Sequence, residues 1–117
     1  MTLTACGVVL VTASSEAEAQ QLAQALVTER LAACVSIVPI QSVYTWQGDL
    51  CNEIEYQLTI KTDLAHFSQL AQRIQALHSY DVPEIVALPI QQGTAAYLSW
   101  VRQQVGTAPS SGDASEP

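Results

Sequence analysis

The chain has 117 residues, 49% of them hydrophobic and only 13% charged, with a formal net charge of -7. That length suits one domain, and a total of four Lys and Arg argues against nucleic acid and anionic membrane surfaces as partners, because cationic side chains supply the affinity for both. An ordinary soluble domain carries roughly 25% charged residues, so the deficit reads as contact buried between copies of the chain, with a surface of Gln, Ser and Thr as the alternative.

The first fifteen residues, MTLTACGVVLVTASS, have no basic leading region and a short apolar core, so they read as neither a signal peptide nor a membrane span. Within them, Gly7 to Ala13 is a β-branched run that predicts a buried strand. Ser15 and Glu18 then fit a capping box. Ala19, Leu22, Ala23 and Leu26 recur at helical spacing, which predicts a helix from Glu16 to Leu31. A second strand runs from Ala32 to Gln47. Pro39 inside it implies an edge strand or a bulge, because proline cannot donate to a ladder. Beyond a bulge, Ile40, Tyr44 and Trp46 would share a face.

Gln47 to Asp49 is turn chemistry. After it, Leu50, Ile54, Tyr56, Leu58 and Ile60 alternate with Cys51, Glu53, Glu55, Gln57, Thr59 and Lys61, the strongest strand signal in the chain. The two strands make a hairpin of roughly 40 Å at about 3.3 Å per residue. Its flanking strands are too short to cover that length, so its far end projects. That end carries Tyr44, Trp46, Leu50 and Ile54, an apolar surface that a closed homo-oligomer would cover.

Asp63 is placed to cap a second helix carrying Leu64, Phe67, Leu70, Ile74 and Leu77, which ends near His78 ahead of Pro83. Glu84 to Ile90 is a fourth strand, stopped at Pro89. Gly93 and Thr94 open a last helix with Leu98, Trp100, Val101 and Val105. The domain thus spans residues 1–105, and residues 106–117 have the small, polar composition of a disordered tail. The order β-α-β-β-α-β-α predicts class α+β, a ferredoxin-like split βαβ sheet with a terminal helix. Cys6, Cys34 and Cys51 form no C-x-x-C, and the default for them is reduced thiols in a cytoplasmic protein.

ERLAACVSIVPIQSVYTWQGDL, IKT, HSYDVPEIVALPI and YLSW together resemble the CutA divalent-cation tolerance proteins, over nearly the whole chain except the tail. The resemblance implies a fold similar to the PII nitrogen regulators, a tight homotrimer, and a link to copper tolerance. In bacterial members with proposed copper ligands, a Cys in the first strand and two adjacent His supply them. Here those positions hold Val11, Leu77 and His78, so only His78 matches.

Two roles are open for His78: a helix C-terminal cap, or a divalent copper ligand completed by Glu84 or by a neighbouring subunit. Tyr44, Trp46, Glu53, Glu55, Lys61 and Tyr80 are candidates for a ligand cleft or a trimer contact. Absence of a nucleophile elbow, a Walker loop and an H-E-x-x-H motif predicts a binding protein rather than an enzyme. Two functions remain open: a trimer responding to divalent metal, and a PII-like signalling trimer holding a small metabolite or a protein partner between subunits.

Overall fold

The structure, a computed structural model, describes residues 5–106. Strands β1 (Cys6–Ala13), β2 (Cys34–Trp46), β3 (Asp49–Asp63) and β4 (Ile85–Pro89) form one antiparallel sheet in the order β2-β3-β1-β4. Helices α1 (Glu16–Thr28) and α2 (Phe67–Leu77) lie on one face, and α3 (Ala95–Gln104) follows β4. This is the split βαβ arrangement expected, with the same seven elements.

Core and open face follow strand parity. Val9 pairs with Ile60 and Val11 with Leu58. All four are fully buried with Leu22, Leu26, Leu70 and Ile74 from the two helices. Cys6 points the other way and packs with Ala33, Val101 and Val105, where α3 covers one end of the opposite face.

Two helix boundaries differ from the sequence expectation. The first helix ends at Thr28 rather than Leu31, because Arg30 adopts φ 60. The amide of Leu31 donates to the Leu26 carbonyl and that of Arg30 to Val27, which is a Schellman end. Glycine is usual there. Arg30 is held instead by its own guanidinium, which donates to the Gly106 and Gln103 carbonyls at 3.0 and 2.7 Å. Second, Asp63 caps a single 3-10 turn, Leu64–His66, before α2 begins. Of the two readings of Pro39, an edge strand or a bulge, the structure takes the first: the β2–β3 register runs unbroken from Cys34↔Lys61 to Trp46↔Asp49. Proline fits because β2 is an edge strand.

The hairpin closes through Gln47 and Gly48, with φ 52 and φ 86, the two left-handed residues of a type I′ turn. β1 stops at Ala13↔Tyr56, so residues 49–55 of β3 pair only with β2. The arm projects, as expected, in a molecule 52 × 31 × 22 Å. It exposes Val43, Trp46, Leu50 and Ile54, with Leu50 74% exposed. Gly106, the first residue assigned to the tail, is bonded both ways to Arg30. Residues 107–117, the rest of that tail, lie outside the described residues.

Candidate functional site

At the root of the arm, where β1 ends, a cleft of about 680 Å³ opens between the hairpin and the loop that leads from α2 to β4. Strand parity brings Ser42, Tyr44 and Trp46 of β2 and Glu53 and Glu55 of β3 to the same face. Thr12 closes the floor, and Tyr80, Asp81, Val82 and Glu84 close the far wall. Four carboxylates therefore line the cleft, and no Lys, Arg or His among the described residues does.

Two Tyr–Glu pairs shape it. The Tyr80 hydroxyl donates to Glu55 Oε2 at 2.9 Å, and the Tyr44 hydroxyl donates to Glu53 Oε2 at 3.4 Å. Burial, then the hydrogen bond to Glu55 and its charge, push the Tyr80 phenol far above its ordinary range. Desolvation and the Glu53 charge raise Tyr44 as well. Both phenols thus stay protonated and remain donors at neutral pH. Glu55 is buried, and its carboxylate is satisfied by Tyr80.

His78 does not line the cleft. It occupies the C-cap of α2 with its side chain fully buried. The Nε2 atom lies 2.7 Å from the Thr12 carbonyl, and Nδ1 accepts from the Tyr80 amide at 3.0 Å. A carbonyl only accepts, and an amide N–H only donates. The partners therefore assign the neutral ring with its proton on Nε2. The His78 and Tyr80 rings meet at 4.9 Å between centroids.

The turn after His78 is tied to α1. Glu18 accepts from the Ser79 amide at 2.7 Å and from the Ser79 and Ser14 hydroxyls at 3.1 Å, and it lies 3.6 Å from His78 Nδ1. Burial pushes the Glu18 carboxyl up, but the hydrogen bonds it accepts from Ser79 and Ser14 outweigh it and hold the group below its ordinary value. Ser15 caps α1 as expected, accepting from the Glu18 amide. The Glu18 carboxylate, however, reaches Ser14 and Ser79 rather than the Ser15 amide. Only its separation of 61 residues from Ser79 hid this role from sequence reading.

Tyr44, Trp46, Glu53, Glu55, Tyr80 and Glu84 thus come together at the cleft. Lys61 does not: it pairs with Val8 and Cys34 at the other end of β3. Sequence reasoning missed Thr12, Ser42, Val43, Asp81 and Val82. Among the described residues, no three His, Cys, Asp or Glu side chains converge tightly enough to hold a metal ion. Val11 is sealed in the core, Leu77 has no donor atom, and both His78 nitrogens are engaged. No helix among the described residues is long and apolar enough to cross a membrane.

The sequence profile of a family described as CutA1 divalent ion tolerance protein matches residues 7–104. The divalent-cation tolerance protein CutA of Thermus thermophilus is 52% identical over 100 residues, covering 85% of this chain and 97% of the relative. A solved structure of the divalent cation tolerance protein from Thermus thermophilus superposes with a TM-score of 0.83 at 51% identity, covering 86% of this chain and 99% of that one. The CutA structure from Synechococcus elongatus gives a TM-score of 0.84 at 44% identity, covering 90% and 95%.

Proposed function

The chain belongs to the CutA1 divalent ion tolerance family, and from that premise we propose that it acts without catalysis, as a cytoplasmic homotrimer that binds divalent cations weakly in the cleft at the root of its arm. The family name supports the link to divalent-cation tolerance. The observation that carries the cleft reading is the lining itself: Glu53, Glu55, Asp81 and Glu84 with no basic side chain among them. Such a wall attracts cations. Copper is among the candidates. Carboxylate oxygens suit harder ions better than copper, and no tight donor cluster forms among the described residues of one chain. Both facts favour weak binding, or a site completed by a second copy.

Trimer formation is supported by the projecting arm, with apolar Val43, Leu50 and Ile54 exposed and one side of β3 unpaired. The names of the family and of its relative in Thermus thermophilus describe tolerance of divalent ions rather than a reaction, which supports a binding role over an enzymatic one.

The test is metal analysis of untagged protein, followed by calorimetric titration with divalent copper. Glu53→Gln combined with Glu84→Gln is expected to lower the affinity about tenfold or more; unchanged affinity removes the cleft from the account. One observation favours a second reading, a PII-like trimer holding a small metabolite. A volume of about 680 Å³ with Tyr44, Trp46 and Tyr80 in its walls exceeds what an ion needs and falls in the range of small-molecule sites. A thermal-shift screen of metabolites in metal-free buffer separates the two, because only the second reading expects stabilisation there.

A further inference from the structure

The strongest unexplained group outside the cleft is His78, the one residue that matches the copper positions of the family and yet has no free nitrogen. We propose that His78 is a positioning residue rather than a metal ligand: its two ring nitrogens join β1 to the loop after α2 and so hold Tyr80 on Glu55 in the cleft wall. This rests on the reading of the cleft as the working site.

The connections form one path. Nε2–H donates to the Thr12 carbonyl on β1, close to where that strand ends. Nδ1 receives the Tyr80 amide, which fixes the backbone two residues beyond the helix cap. The Tyr80 ring then lies against the imidazole, and its hydroxyl reaches Glu55 on β3. Thr12, Tyr80 and Glu55 all line the cleft. The imidazole behind them therefore ties its floor to its far wall. Glu18, on α1, secures the same turn through Ser79.

A metal at His78 would have to break one of these bonds inside a fully buried pocket. Releasing Nδ1 would leave the Tyr80 amide without its acceptor. Releasing Nε2 would require loss of its proton and of the Thr12 bond. An unmade buried hydrogen bond is expensive, so ligation and positioning exclude each other here.

The test begins with the full chain labelled with nitrogen-15 histidine, with His66→Gln used to assign the second ring. In metal-free protein at neutral pH, His78 is expected to show one protonated and one bare ring nitrogen. Neither signal should move when stoichiometric zinc, a diamagnetic divalent probe, is added. A zinc-dependent shift of the bare nitrogen would overturn the proposal. The outcome is independent of whether the carboxylate variants lose cation binding, so this inference and the cleft reading fail separately.

Two variants then separate positioning from mere support. Asn at this place keeps an acceptor near Nδ1, whereas Gln keeps a donor near Nε2. Carbon-13 titration of Tyr80 should give a raised ionisation midpoint in His78→Asn, as in the parent. In His78→Gln the midpoint should fall toward the ordinary tyrosine value of 10.0. Midpoints as raised as the parent's in both variants would show that His78 does not position Tyr80.

Discussion

The head of the molecule and its arm are built from the same two strands and the same alternation, yet they meet opposite fates. In the head, β1 backs β3 and two helices cover the face, so Leu58 and Ile60 are completely buried. Past Ala13↔Tyr56 that support stops. Ile54 and Leu50, next in the same row, are 58% and 74% exposed. Periodicity thus reports which side-chain row belongs together, while the length of the neighbouring elements decides what covers it. The head covers this row with its own chain, whereas the arm presents a surface that a second copy would complete.

The largest effect should come from the head. Leu58→Ala removes a fully buried side chain between β1 and the helices, and large-to-small changes of this kind cost about 2–5 kcal/mol. Chemical denaturation should show that loss. Leu50→Ala, in the arm, should leave the unfolding free energy of a dissociated chain within about 0.5 kcal/mol. Similar losses at both positions would erase the distinction between the two regions.

Next in size is an arm effect on assembly. Trp46 is 55% exposed in the single chain, and aromatic anchors dominate subunit contacts. Trp46→Ala should weaken self-association about tenfold or more, equivalent to about 1.4 kcal/mol. An unchanged association constant would make Trp46 peripheral.

A smaller effect belongs to the tie between α1 and the turn after α2. The Glu18 carboxyl titrates lower in the fold than its ordinary value of 4.5. Its contribution is therefore fully present above that value and is lost as pH falls through the lowered native one. Glu18→Gln should lower the melting midpoint by a few degrees at neutral pH. The gap between variant and parent should close in acid, and a gap that widened in acid would reverse the assigned direction. Smallest of all, Gln47→Asn at the arm's turn should raise stability by less than about 1 kcal/mol, because Asn tolerates the left-handed conformation better. A loss there would mean that the Gln47 side chain does something the turn geometry does not reveal.

Much of the fold was legible because local signals agreed with the final packing. The alternation through β3 identified Leu58 and Ile60 as one row, and the turn residues placed the hairpin end correctly. Pro39 was ambiguous in principle, since an edge strand and a bulge satisfy a missing donor equally well. Only pairing along the whole register resolves them. The early end of α1 escaped notice because Arg30 occupies a conformation usual for glycine, held by carbonyls 73 and 76 residues away.

The cleft was legible in part for the same reason. Parity along β3 grouped Glu53 and Glu55, but it also grouped Lys61, which shares their face, and only the pairing of β2 with β3 brings Tyr44 to that face. Lys61 lies eight residues beyond Glu53, roughly 26 Å along the strand. Alternation specifies a face without specifying distance. His78 was read from its neighbours in sequence, whereas its partner Thr12 lies 66 residues away.

The contrast between head and arm stands most directly on the mass of the particle in solution. Sedimentation equilibrium of the untagged protein at micromolar concentration should give three chain masses, with the arms covered by neighbouring copies. A single chain mass under the same conditions would contradict the account, leaving Val43, Trp46, Leu50 and Ile54 exposed to water without a partner.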